Sequence, residues 1–268
     1  MSGSVNESRG TSGAIRITSA GHALFAASMI WLGALGLAKG AFVQVWLPVP
    51  KWVPVREPLA YLCAVVSLAT GVGMLWRRTA ALAARVIFVS LVVWLLVMRL
   101  PNLFYESPLV LVAWSFGCTG VMAAAAWVLT ARFAAESGTA QAMGPRATLF
   151  ADARGVRVAK ALFGLSLIPF GLAHFMYLDA TTVLIPNWLP WHVALAYLTG
   201  GAFIAAGLAV ALDVSSRLAG ALVTLQIGLF SVIVWIPRVW TGNLTEFQRG
   251  EVVATWVLMA GAWVMAES

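Results

Sequence analysis

Residues 50–62 read PKWVPVREPLAYL, and residues 186–198 read PNWLPWHVALAYL. The two align without a gap, position 50 upon position 186, and seven of their thirteen positions are identical. Matched Leu and Ala carry little weight in an apolar chain. The Pro-x-Trp-x-Pro frame (Pro50, Trp52, Pro54 against Pro186, Trp188, Pro190) and the tyrosines Tyr61 and Tyr197 carry more. The same offset pairs Gly71 with Gly207 and Pro101 with Pro237, while upstream Gly36-Leu-Ala-Lys39 matches Gly171-Leu-Ala-His174 with a shift of one. Self-similarity at a fixed spacing has to be read before any local motif. It says that one unit is written twice.

The composition says where that unit is stable. Of 268 residues 61% are hydrophobic and only 10% are charged, against roughly 25% charged in a soluble domain. The mean hydropathy is +0.90, which points to helices dissolved in lipid. A helix crosses about 30 Å of hydrocarbon with roughly 20 residues. Eight apolar runs pass that test, near 23–46, 58–76, 80–100, 108–131, 159–178, 193–212, 216–236 and 250–266. Each copy then holds four spans, an even number, so both enter the membrane from one side as parallel repeats.

The fold class expected is an all-α membrane protein of eight transmembrane helices, arranged as two parallel four-helix bundles packed through Gly71, Gly73, Gly200, Gly201 and Gly207. The division follows: a disordered cytoplasmic tail over 1–22, a first unit over 23–131, a cytoplasmic linker over 132–158 and a second unit over 159–268. Seventeen basic residues against ten acidic ones give +7. In a membrane protein this charge belongs to cytoplasmic loops rather than to nucleic-acid binding. Eleven basic residues, among them Arg9, Arg77, Arg78 and Arg146, fall on the side of the termini and six, among them Lys51, on the other. Both termini are therefore expected in the cytoplasm. Trp46, Trp52, Trp188, Trp191, Trp235 and Trp240 fall near the opposite boundary as an aromatic belt.

With the Gly-Leu-Ala-Lys39 or Gly-Leu-Ala-His174 ending of the first span, the Trp-x-Pro loop and the Gly-rich second span LAYLTGGAFIAAG (195–207), the chain resembles the DoxX-like family of four-helix membrane proteins. The likeness covers about 210 residues as two tandem units. It implies a four-helix unit of the plasma membrane, serving as a small membrane subunit of an oxidoreductase system and including quinone-linked members. Many relatives carry an acidic residue early in the second span, where this chain has Tyr61 and Tyr197.

The residues that could hold a ligand are basic and lie on the outer side. The register sets Lys39 against His174 and Arg56 against His192, and Arg99 and Arg238 flank the paired prolines. With Tyr61 and Tyr197 as polar walls, these groups could hydrogen-bond an anionic or carbonyl-bearing ligand such as a quinone head group. The competing reading is that they anchor and snorkel at the interface. A metal site is disfavoured because the first copy has Lys39 and Arg56 where the second has histidines. Glu57, Glu106, Asp179 and Glu246 lie near helix ends, poor places for intramembrane acid–base catalysis. Cys63 and Cys118 read as packing residues. The expected function is a DoxX-like membrane subunit, of uncertain catalytic status, that binds a lipophilic quinone-like ligand or docks a partner enzyme. The alternative is a small-solute transporter or channel built from parallel repeats.

Overall fold

The computed structural model describes residues 15–50, 52–105, 108–137, 150, 152–242 and 244–268. Arg9, Lys51, Glu106 and Arg146, most of the expected tail and the middle of the expected linker (138–149 and 151) lie outside them. The described residues form helices α1 (Ala20–Lys39), α2 (Arg56–Met74), α3 (Ala80–Trp94), α4 (Asn102–Tyr105), α5 (Leu109–Glu136), α6 (Ala153–Met176), α7 (Leu178–Thr182), α8 (His192–Ala211), α9 (Ser216–Phe230), α10 (Ile236–Thr241) and α11 (Glu246–Ala266). A π-helical turn, Leu95–Arg99, extends α3, and another, Ser231–Trp235, joins α9 to α10.

Seven helical segments are long and apolar enough to cross a membrane, the make-up of a multi-pass membrane protein. The eighth long helix, α11, has 21 residues but carries Glu246, Arg249 and Glu251 in its first two turns, and it is not among the seven. The first apolar run stops at Lys39 rather than 46, because Gly40 takes a left-handed φ of 60° and turns the chain. At its start α1 reaches back to Ala20, into the stretch expected as tail, where His22 is fully buried.

Local features recur in the register read from the sequence. The two π turns, 95–99 and 231–235, coincide when the second copy is laid on the first. So do Val55 (φ 47°) and Trp191 (φ 58°), each a left-handed residue heading the following helix. Left-handed backbone costs a β-branched or bulky side chain about 1–3 kcal/mol, so its appearance at both places marks a turn that the fold requires. Close helix contacts repeat as well. A Cβ on Gly36 would meet Ala64 Cβ at 2.8 Å, and one on the aligned Gly171 would meet the carbonyl of Gly200, which aligns with Ala64, at 2.5 Å. Small residues thus bring α1 onto α2 and α6 onto α8. Gly71, Gly200 and Gly207 sit in such contacts as expected, and Gly73 lies against Ala83. Gly201 faces open space and packs nothing, because it lies one residue around the helix from the contacting face.

Consecutive long helices pack side by side from α1 to α11, and α11 returns to α1. Across this ring α5 packs on α11. The last long helix of each half therefore lies along the first of the other, α5 on α6 and α11 on α1. α5 is the most enclosed, with a buried run from Gly117 to Ala126. Both ends of the described chain share one face, where Gly21 N–H donates to Glu267 Oε1 at 3.1 Å.

Candidate functional site: a tryptophan-lined cleft between the halves

The arginines singled out on the opposite face are engaged with backbone. Arg99 is 1% exposed. Its guanidinium donates to the carbonyls of Leu47, Pro48 and Val45, and its Nε to Thr119 Oγ1 at 3.1 Å. Arg238 is half-buried and donates to the carbonyls of Val183 (2.9 Å) and Leu184 (3.3 Å). Arg56 donates to Val49 O (3.1 Å) and Pro50 O (2.5 Å) and lies over the Phe42 ring. Loop carbonyls that no helix can satisfy are thus paired by arginines, whose five N–H donors suit the task.

Lys39 ends α1 exposed, and Tyr61 places its hydroxyl beside Gly40. His174 holds Phe170 O from Nδ1 at 2.7 Å and packs on Phe203. Tyr197 stacks on Phe175, and half-buried His192 begins α8. Each of the eight thus lies at the loop end of its half, and the arginines serve the loops they face. Among the described residues no group of three or more His, Cys, Asp or Glu stands together.

The tryptophans divide differently from an aromatic belt. Trp52, Trp188, Trp191 and Trp240 are exposed, but Trp46 and Trp235 are 2% and 3% exposed. Their indole N–H groups donate to Ser67 Oγ and Thr255 Oγ1, each at 3.0 Å. These two are corrected to core residues, because each has a hydroxyl partner inside the bundle and so needs no interface. The Trp235–Thr255 pair stands at the register positions of the Arg99–Thr119 pair.

A cleft of about 370 Å³ lies where α1, α10 and α11 meet, lined by Trp31, Ser231, Trp235, Trp240, Val252 and Trp256 among others. Its size follows from two positions. In the repeat register Trp31 aligns with Ser166 and Trp256 with Gly120. At the α5–α6 interface that pair is closed, since a Cβ on Gly120 would run into Ser166 Oγ. At the corresponding level of the α11–α1 interface two indoles stand in their place and line the cleft, although the same helices pack closely nearer their other ends, where a Cβ on Gly21 would meet Val264 N at 2.8 Å. At this level one interface is sealed and its counterpart is open.

The open cleft is apolar, with Ser231 Oγ, which donates to Ile227 O at 2.9 Å, as its polar side chain besides the indoles. No acceptor for the N–H of Trp31, Trp240 or Trp256 occurs among the described residues. Several flat rings and free donors at the edge of an apolar cavity can bind and orient a flat, acceptor-bearing molecule. None of the lining residues is titratable, so the lining itself offers ring faces and hydrogen-bond donors but no acid–base group. Trp31 and Trp256 escaped the sequence reading. Comparing side-chain size at aligned positions, Trp over Ser and Trp over Gly, would have found them. No family model matches the chain, and neither a curated protein nor a solved structure matches it.

Proposed function

We propose that the chain is two tandem copies of a DoxX-like four-helix unit, with eight spans in the plasma membrane and both termini in the cytoplasm. It serves as a membrane subunit that binds a lipophilic quinone-type ligand for a partner oxidoreductase. The observation that carries this reading is the indole-lined cleft at α11–α1, set against its sealed counterpart at α5–α6. A quinone supplies what the cleft lacks: a flat ring to lie against indole faces, carbonyl oxygens to accept indole N–H bonds, and an apolar tail for the surrounding lipid. About 370 Å³ falls within the usual range of roughly 300–1,000 Å³ for small-molecule sites. As the eighth span, α11 would place its charged first turns at the loop-side interface, with residues 252–266 in the hydrocarbon.

The ligand site in this reading moves from the basic residues to the indoles. Arg99, Arg56 and Arg238 spend their donors on loop carbonyls. The test copies the sealed interface into the open one by Trp31→Ser with Trp256→Gly. Native mass spectrometry of protein in lipid nanodiscs loaded with a ubiquinone should show retained quinone in the unchanged chain and at least a tenfold loss in the double variant. A Lys39→Met/His174→Met variant should retain it. Equal retention in the sealed variant, or loss only on changing Lys39 and His174, would return the site to the basic residues. Solute flux by protein that retains no quinone would favour the transporter reading.

A further inference from the structure

The face carrying both ends of the described chain has a second cavity, of about 440 Å³, lined by Arg16, Arg77, Arg78 and Glu136 with Phe133 and Ala81 as its apolar part. It is built by the segment before α1 folding onto the α2–α3 turn. Ile15 bridges to Trp76, and Arg16 N–H donates to Leu75 O at 2.8 Å. That places the Arg16 side chain opposite Arg77 and Arg78 and next to the end of α5.

The charges there are unbalanced. Glu136 is the acidic side chain of the lining, and two guanidiniums already share it, Arg16 at 3.2 Å and Arg132 at 3.4 Å. Arg132 also reaches Glu267 at 3.7 Å. Neither Arg77 nor Arg78 has an acidic partner among the described residues. Arg77 and Arg78 are exposed, so water and salt screen the repulsion between adjacent cations, and an anion seated among them would relieve what remains.

The other half shows the same place with its anion supplied. The residue aligned with Arg77 is Asp213, and its Oδ1 takes Lys160 Nζ at 2.9 Å. Lys160 Nζ also donates to Ser216 Oγ at 3.0 Å. The hydrogen bond from Lys160, and then that from Ser216, holds the Asp213 carboxyl below its ordinary pKa. In the N-terminal half the counterpart of Lys160 is Phe25, part of the core, and the counterpart of Asp213 is an arginine. One half closes this corner with its own ion pair. The other leaves an open basic hollow.

We propose that the Arg16–Arg77–Arg78 cavity is a binding site for a phosphate-bearing anion, either the headgroup of an anionic phospholipid or free phosphate. Guanidinium forks match phosphate oxygens two at a time, and basic pockets between helix ends at a membrane face suit anionic headgroups. The apolar part, Phe133 and Ala81, would lie against the glycerol end of a lipid.

The test uses the full chain in nanodiscs of phosphatidylcholine with or without phosphatidylglycerol, with retained lipid read by native mass spectrometry. Phosphatidylglycerol should be retained at least tenfold over phosphatidylcholine. Arg77→Gln/Arg78→Gln should lose that preference, while Arg154→Gln/Arg157→Gln, which removes the same charge elsewhere on the same face, should keep it. Helical circular dichroism reports whether each variant folds. If Arg77→Gln/Arg78→Gln does not fold, the lipid preference of the unchanged chain and of Arg154→Gln/Arg157→Gln decides. In pure phosphatidylcholine, millimolar inorganic phosphate raising the melting temperature of the unchanged chain but not of the Arg77/Arg78 variant would assign the site to free phosphate. The proposal is overturned if the unchanged chain shows neither lipid preference nor a phosphate effect, if the Arg77/Arg78 variant keeps them, or if the Arg154/Arg157 variant loses them equally.

Discussion

The two halves tie down the same loop with different residues. In the N-terminal half the carbonyls of Leu47 and Pro48 are held by Arg99, and in the C-terminal half the aligned carbonyls of Val183 and Leu184 are held by Arg238. Yet Arg99 aligns with Trp235, and Arg238 aligns with Asn102, one helical turn further along. What persists is the requirement that two loop carbonyls be satisfied; the donor has moved by a turn. Each half keeps the left-handed residue, the π turn and a hydrogen bond to a threonine, Thr119 or Thr255. They part at one level of the interfaces between them, closed by Gly120 and Ser166 on one side and open as a cleft lined by Trp256 and Trp31 on the other.

That contrast can be broken most forcefully at Arg99. Replacing it with Met leaves the carbonyls of Leu47 and Pro48 without their buried donor and Thr119 Oγ1 without the N–H it accepts, while Val45 O keeps the Thr119 hydroxyl. At about 1–3 kcal/mol for each unsatisfied buried group, the variant should unfold or lose much of its thermal stability in detergent. Arg238→Met, at a half-buried site with two carbonyls, should cost about 1 kcal/mol. Equal melting temperatures for the two would show that the arginines do not brace loops in proportion to burial. Second in size is Gly120→Leu, which forces α5 from Ser166 and should cost about 1–3 kcal/mol by overpacking. Gly201→Leu, in open space, should melt within a degree or two of the unchanged chain. If both were neutral, the sealed interface would not be tight.

The smallest effect is expected at Asp213. Its folded pKa is depressed, so the Lys160 pair stabilises above the ordinary aspartate pKa of about 3.9. The contribution is lost as the pH falls through the lower folded value. Being an exposed pair, it should contribute less than about 1 kcal/mol. The melting temperatures of the unchanged chain and of Asp213→Asn should differ slightly at pH 7 and converge in acid. A gap that widened in acid would reverse the sign of this coupling.

Much of the scaffold is legible in the residues. Seven of the eight expected spans follow from apolar runs of membrane length, and the repeat register recovers features no propensity could announce, such as paired π turns at 95–99 and 231–235. The arginines at 99 and 238 stood out, but their roles did not. Their partners are main-chain carbonyls, which have no letter in a sequence. Trp46 and Trp235 read as interface residues because an apolar window does not tell a helix's inner face from its lipid face. The cleft was hidden for a third reason: α1 meets α11 from the opposite end of the chain, and no local pattern reports that pairing.

An electron cryo-microscopy map of the protein in nanodiscs loaded with ubiquinone tests most directly whether one inter-half interface is open where its counterpart is closed. The expected map has α5 against α6 with Gly120 on Ser166, α11 against α1 with Trp31 and Trp256 apart, and ring-shaped density between those indoles. Trp31 packed directly on Trp256 with no density between them, or the same close packing at both interfaces, would contradict it.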